Sequence, residues 1–463
     1  MTVFELLIFV SLGLAVAARK RHAISLCFCA LGYAIAAVTI FAGEFRWPIA
    51  FAYLALFMIS WLEVSDFRKR SAPKDDRDGS ETSDKAEVVR RNFLRVGGLL
   101  AAISLFLVWA CPNVSLPAPR GPYKVGTCTI TMVDNSRPGL LPDEHSRELP
   151  VQVWYPVKEN RMKLAPFMQP SNVVTPFFEA PLFAIVASHL HLIRTHSSIN
   201  DDPVTAPNGV KFPLLIFSHG LFGGRIQNIV QIEDLVSNGY VVAALDHTHD
   251  AAFAIFPEKT VTSDLVRAKI QSVALTDEHA LDVRRDDVCF VADKLSMYLP
   301  KAIGSIVDFS KIGVFGHSLG GQTAMLSCAK DSKISAGLAL DGFSTRAVQS
   351  GIPQPFIYMQ ADRPSLPPDI DAFCKPKTGG PHLFLKLLGA QHANFTDLPF
   401  LTPMHWILGI SGPIEPKLAM QLIEEYSLAF FDQYLKHKDS HLLDGTSNAH
   451  PEMEFENISD SNK

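Results

Sequence analysis

The stretch KIGVFGHSLGGQ, residues 311–322, sets one serine hydroxyl among Gly316, Gly320 and Gly321 directly after an apolar run. Glycine loses the most backbone freedom on folding, so glycines crowded around one hydroxyl signal a steric requirement. Gly316-His317-Ser318-Leu319-Gly320 fits G-x-S-x-G, in which a strand turns sharply into a helix and lifts the serine oxygen clear of the backbone. Side chains at Gly316 or Gly320 would collide with neighbouring backbone at such a corner. A serine hydroxyl is a poor nucleophile until a base takes its proton, so a histidine and an acid are required as well.

Enzymes with this corner carry them downstream, acid before histidine. His392, in LLGAQHANFTD, follows the last apolar run; His382 begins that run and lies at its wrong end. Two acids compete. Asp362, in MQADRP, has the position that strand order favours, whereas Asp341, in LALDGF, ends an apolar run and is followed by Gly342. The residues alone leave this choice even. The loop FSHGLFGGR (217–225) supplies backbone donors for a developing oxyanion, with Leu221 and Leu319 as the expected N–H groups. His219, Gly220 and His317 are expected to shape this loop and the corner, not to transfer protons.

Elements able to position these residues begin near residue 118. Apolar runs at 125–133, 149–157, 212–220, 239–247, 311–318, 335–343, 355–362 and 382–389 read as strands. The first two open the sheet as antiparallel strands, and most of the others suit a parallel sheet covered on both faces. Helical patterns fill 278–299 and 415–436, the latter with Leu418, Leu422, Tyr426, Phe430 and Tyr434 at four-residue steps. This alternation predicts one α/β domain over 118–440, with a mostly parallel central sheet covered by helices and a tail at 441–463. The Phe- and Leu-rich insert 164–199 suits a lid or acyl pocket as well as it suits a packed helix. The motif DHTHD (246–250) and the trio His189, His191 and His196 lack metal-ligand spacing, and no cofactor fingerprint is present, so neither metal nor cofactor is expected.

The amino-terminal portion differs in texture. Hydrophobic residues make up 48% of the chain, which turns attention to apolar runs at 4–18, 23–42, 47–62 and 94–110. Three candidate transmembrane helices over 1–63, a polar linker at 64–93 read as flexible and cytoplasmic, and a fourth helix with a short connector over 94–117 account for this portion. Basic residues cluster at Arg19, Lys20 and Arg21 and again at Arg68, Lys69, Arg70, Arg90 and Arg91. The positive-inside rule places both clusters in the cytoplasm and everything after residue 117 outside it. A formal net charge of −5 without a basic run gives no footprint for nucleic acid. Seven scattered cysteines with no CxxC argue against a disulfide framework, although Cys289 and Cys328 remain a conceivable pair.

With these residues in hand, the chain resembles the platelet-activating-factor acetylhydrolase type of α/β-hydrolase. PAPRGPYKVGTCTITMVD, FSHGLFGGR, GYVVAALDHTHD, GHSLGGQT, GLALDGF and GAQHANFTD look like the family's blocks in the family's order, over about 118–436. The resemblance implies the α/β-hydrolase fold, Asp341 as the acid, Ser318 and His392 as nucleophile and base, and Leu221 and Leu319 as oxyanion donors. It also implies a metal-free esterase that cleaves short or oxidised acyl chains from phospholipids. The expected substrate is therefore an amphiphilic or small ester. A general short-chain carboxylesterase or polyester hydrolase is the alternative, and a membrane protein carrying a hydrolase-like binding scaffold is the alternative of another class.

Overall fold

The computed structural model describes residues 2–42, 46–71, 80–141, 144–168, 188–205, 209–263, 277–376 and 378–455. Two compact units emerge, one built mainly from Met1–Val114, the other from Ser115–Pro176, Arg194–Phe400 and Met404–Lys463.

In the first unit the apolar runs fold as α1 (Val3–Ala17), α2 (His22–Phe41), α3 (Ala50–Ser71) and α4 (Ser80–Ala110). Thr2 and Glu5 cap α1 reciprocally, each side chain accepting the other's N–H. At one end Arg46 donates to Glu5 (2.8 Å) and to the carbonyl of Cys111. At the other, His22 meets Glu63 (2.5 Å) and Arg90 meets Asp66 (3.2 Å). Successive helices therefore alternate in direction.

Leu12, Cys29, Leu56 and Ile59 pack between them, while Leu31, Phe57, Trp61, Leu105 and Trp109 point outward and are exposed. Among the described residues three helical stretches are long and apolar enough to cross a membrane: His22–Phe41, Trp47–Arg68 and Glu87–Ala110. The helix α1, with 15 residues, spans about 22 Å at 1.5 Å per residue, short of a hydrocarbon core of about 30 Å. The linker read as flexible at 64–93 differs from expectation: α3 continues to Ser71 and α4 begins at Ser80, residues 72–79 lying outside the described set. Good helix formers in KAEVVRRNFLR extend the apolar helix into the polar segment.

In the second unit the apolar runs become strands: β1 (Lys124–Asp134), β2 (Arg147–Val157), β3 (Leu164–Pro166), β4 (Arg194–Ile199), β5 (Phe212–Ser218), β6 (Val241–Leu245), β9 (Val307–His317), β10 (Ile334–Leu340), β11 (Phe356–Ala361), β12 (His382–Leu387) and β13 (Met453–Phe455). They form one sheet in the order β13-β12-β11-β10-β9-β5-β6-β2-β1-β4-β3, and β7 (Phe253–Ile255) pairs with β8 (Thr260–Thr262) apart from it. Strands β6, β5, β9, β10, β11 and β12 are mutually parallel; β2 and β1 enter antiparallel, as does β13 at the far rim.

Parallel order requires crossovers, and helices such as α5 (Ile229–Ser237), α6 (Asp277–Tyr298) and α7 (Leu319–Lys330) supply them, while α8 (Pro416–Lys436) joins β12 to the antiparallel β13. Alternation along β5 shows both faces covered. Leu214 and Ile216 share a core with Val288 and Val291 of α6 and Met325 of α7. On the opposite face Phe217 meets Phe315, which packs edge-on against Phe431 of α8.

Two expectations shift. The described ends of the insert 164–199 include the rim strands β3 and β4, with 169–187 outside the described residues. The tail, placed beyond the domain at 440, contributes β13, whose Met453 is wholly buried. All seven cysteines, Cys289 and Cys328 among them, are free thiols.

Candidate active site

The corner after β9 is strained. Ser318 has φ 56° and ψ −119°, in the positive-φ region that a residue with a side chain rarely adopts. Its N–H donates to Leu340 C=O (2.8 Å), and its own carbonyl accepts from Gly321 (2.9 Å) and Gln322 (3.2 Å) as α7 begins. Neighbouring backbone leaves no room for side chains. A Cβ on Gly316 would strike the carbonyls of Gly320 and Ser218, one on Gly320 would strike Ser218, and one on Gly342 would strike Ser318. The glycines thus let three chain segments close on the serine, whose residue stays half-buried and accessible.

The structure brings Asp341 and His392 together. His392 opens a short 3-10 turn after β12, its side chain half-exposed, and its Nδ1 lies 2.5 Å from Asp341 Oδ2. Asp341, at the tip of β10, also accepts from Ala361 N–H (2.9 Å) and Arg363 Nη1 (3.0 Å). Burial alone would raise its carboxyl pKa. The hydrogen bond from His392, the Ala361 amide and the Arg363 charge outweigh that and hold it below the ordinary carboxylate range. Asp362 is elsewhere: it is exposed, and its Oδ2 accepts from Gly389 N–H (2.9 Å).

His317 joins the corner to the histidine loop. Its ring lies 4.4 Å from that of His392, centre to centre, and its Nε2 donates to the His392 carbonyl (3.0 Å). Its Nδ1 accepts from Gln227 Nε2 (2.7 Å), and Gln227 Oε1 in turn accepts from Gly220 N–H (2.7 Å). One amide side chain therefore ties the glycine loop, the corner and the histidine loop in series. Burial, then the neighbouring His392, pushes His317 down to about 3, so it stays neutral in this role.

Beneath the glycine loop lies a fully buried polar layer. His219 Nδ1 donates to Gly220 C=O (2.7 Å), and its Nε2 accepts from His247 N–H (3.2 Å). Arg284 donates to His219 C=O (2.6 Å) through Nη1 and to Gly220 C=O (3.3 Å) through Nη2, and Nε together with the same Nη2 pairs with Asp250. Burial, reinforced by the Arg284 charge, holds His219 well below the usual histidine range. A second serine–histidine–aspartate line, Ser218–His247–Asp287, has hydrogen bonds of 2.9 and 3.0 Å. All three residues are fully buried and Asp287 is neutralised by Arg147 (2.7 Å), so this line is core architecture that no substrate reaches. Leu221, by contrast, is exposed, and its N–H has no protein partner among the described residues.

Three residues of the metal-like motifs pair with protein groups. Asp246 pairs with Arg225 (3.0 Å), His249 with Glu144 (2.7 Å) and His196 with Glu233 (3.2 Å). No cluster among the described residues has a metal-binding arrangement. Sequence reasoning missed Gln227 and Arg284. Gln227 lies in an unremarkable loop, and only the strict commitment of Arg284 to carbonyls 64 and 65 residues away reveals it.

A family model described as "Platelet-activating factor acetylhydrolase, isoform II" matches residues 109–303 and 296–453. A platelet-activating factor acetylhydrolase of Canis lupus familiaris is 28% identical over 408 residues, covering 76% of this chain and 86% of that protein. A probable 1-alkyl-2-acetylglycerophosphocholine esterase of Arthroderma benhamiae is 27% identical over 380 residues, covering 73% and 93%. Among solved structures, a ferulic acid esterase from Streptomyces cinnamoneus superposes with a TM-score of 0.62 at 30% identity, covering 74% of this chain and 99% of that one.

Proposed function

The chain belongs to the platelet-activating factor acetylhydrolase, isoform II family and is a serine ester hydrolase, and from that premise we propose that it is membrane-anchored and cleaves short or oxidised acyl esters of amphiphilic lipids outside the cytoplasm. Ser318 Oγ attacks the ester carbonyl carbon while His392 Nε2 takes its proton. The C–O bond to the leaving alcohol then breaks as His392 returns that proton to the alcohol oxygen. Water, deprotonated by the same nitrogen, attacks the acyl-enzyme and releases the acid and the free serine. Leu221 and Leu319 N–H groups receive the negative charge that develops on the carbonyl oxygen.

One observation carries this reading. The Nδ1–H of His392 is committed to Asp341 at 2.5 Å, which leaves Nε2 to take a proton, and the His392 ring lies 4.4 Å from that of His317, the residue before the strained Ser318. The orientation rests on the basic residues: Arg19, Lys20, Arg90 and Arg91 line one cleft at the end of the helices opposite Cys111, where the chain leaves α4. A reporter fused after residue 117 tests it, and reporter activity on the cytoplasmic side would sink it.

The decisive experiment for the activity is an acyl-chain series on the purified protein. Glycerophosphocholines with a short or oxidised acyl chain are compared with long-chain analogues, p-nitrophenyl acetate and a feruloyl ester, each for wild type and Ser318→Ala. Turnover of the short-chain phospholipids that vanishes in Ser318→Ala is expected. Equal or better turnover of simple aryl esters replaces the lipid reading with a general carboxylesterase, and activity that survives Ser318→Ala overturns the mechanism.

A further inference from the structure

We infer that Arg284, anchored by Asp250, is a positioning residue that fixes the Leu221 N–H as an oxyanion donor by locking the Gly220–Leu221 peptide against rotation. The inference rests on the reading of Leu221 as such a donor. A trans peptide unit is planar, and its carbonyl and N–H point in opposite directions. Wherever the Gly220 carbonyl is held, the Leu221 N–H must therefore face the other way.

That carbonyl is held inward by three donors: His219 Nδ1 (2.7 Å), Gly223 N–H (3.0 Å) and Arg284 Nη2 (3.3 Å). The Gly220 N–H is separately fixed on Gln227. With both polar groups of Gly220 tied into the protein, the Leu221 N–H is turned outward, where it meets no protein acceptor among the described residues. The rotated peptide would present a carbonyl oxygen at that spot and repel the developing negative charge.

A lock is needed because residue 220 is glycine, whose missing Cβ lowers the steric resistance to rotation. Glycine is in turn required there: an added Cβ would sit 3.2 Å from His317 Nδ1 and 3.3 Å from Gln227 Nε2, tighter than ordinary contact, within the bond that links the loop to the corner.

Arg284 suits the task by geometry. Its planar fork reaches two consecutive carbonyls, His219 and Gly220, while its remaining N–H groups grip both oxygens of Asp250. All of these side chains are buried. Burial, reinforced by the neighbouring positive charge, keeps His219 neutral, which preserves the Nδ1–H that the same carbonyl accepts. Lysine, a single-point donor, could serve one carbonyl or the aspartate but not the whole set.

The test uses Arg284→Lys, Arg284→Met and Asp250→Asn in the full-length protein, with active sites counted by fluorophosphonate labelling taken to completion. Loss of one oxyanion donor lowers kcat by about 10²–10³-fold, so kcat per labelled site is expected to fall by that order in the Arg284 variants, with KM changed less than about threefold. Affinity for a trifluoromethyl ketone, whose adduct carries an oxyanion, should fall in the same proportion as kcat. A purely structural role would lower the number of labelled sites and leave both quantities per site unchanged; that result overturns the inference, as does a fall in kcat without a fall in ketone affinity. If the Arg284 variants do not fold, Asp250→Asn must reproduce the parallel loss, and parallel constancy refutes the lock. Ser318→Ala separates the two levels. An active Ser318→Ala discards the mechanism itself, whereas an inactive one beside unaltered Arg284 variants discards only the lock.

Discussion

Replacing Asp341 by asparagine removes one negative charge and one acceptor, and the geometry dictates how the amide must turn. Oδ1 of Asp341 accepts from the buried Ala361 N–H at 2.9 Å, while Oδ2 accepts from His392 Nδ1 at 2.5 Å and Arg363 Nη1 at 3.0 Å. An asparagine keeps the Ala361 bond only by putting its NH₂ group at the Oδ2 position. There it faces two donors. His392 can relieve the clash by moving its proton to Nε2, the nitrogen required to take the serine proton, so the ring is left in the unreactive tautomer. The corresponding change in other serine triads lowers kcat by about 10⁴-fold, equivalent to about 5.4 kcal/mol of transition-state stabilisation. The assay is kcat on a short-chain ester at pH 7.5 for Asp341→Asn beside Asp362→Asn, both checked for unaltered melting. Asp362 is exposed and holds one loop amide, Gly389, so its asparagine variant should keep activity within about tenfold. A crippled Asp362→Asn, or an Asp341→Asn within tenfold of wild type, refutes the reasoning.

Gln227→Met leaves Gly220 N–H and His317 Nδ1 without their partner. It should destabilise the fold by about 1–3 kcal/mol and lower kcat more than it changes KM; unchanged urea midpoint and kcat would remove the strut from the account. His317 is buried, neutral and depressed to about 3, whereas an unfolded histidine titrates near 6.5. Its stabilising contribution is complete above about pH 6.5 and is lost as pH falls toward 3, because the unfolded chain takes up a proton that the folded one refuses. The stability advantage of wild type over His317→Gln should therefore shrink by about 1.4 kcal/mol per pH unit below 6, and parallel urea-midpoint curves from pH 7 to 5 would contradict it.

Local features were the ones legible in the sequence. The corner around Ser318 is written in consecutive residues, because a strand, three glycines and a helix all act within a dozen positions. The strands from 212 onward were readable for a similar reason: burial on both faces leaves an unbroken apolar run. Choosing between Asp341 and Asp362 was beyond pattern, since both follow strands. What separates them in the fold is the chain direction at each tip. Asp341 turns at φ 49° toward His392, while Asp362 bends back to Gly389. Gln227 and Arg284 were invisible because the partners that define their roles, His317 and the His219 carbonyl, lie 90 and 65 residues away. At 64–93 mixed polar residues on either side of 72–79, which lie outside the described residues, continue α3 and α4, because good helix formers carry an apolar helix into a polar segment. Rim strands of three residues, such as β3 and β13, carry too few positions for any period to register.

Those short rims have a consequence for life at a surface. The eleven strands ordered among the described residues end at Leu164–Pro166 on one side and Met453–Phe455 on the other. Each offers a neighbour only a few main-chain groups, and Pro166 has no N–H to give. At the bilayer where we propose this chain is anchored, molecules would be concentrated in two dimensions and aligned, the arrangement most favourable to stitching sheets edge to edge. Frayed margins of this kind deny such stitching a template, so molecules of this chain can crowd side by side and each keep its own sheet.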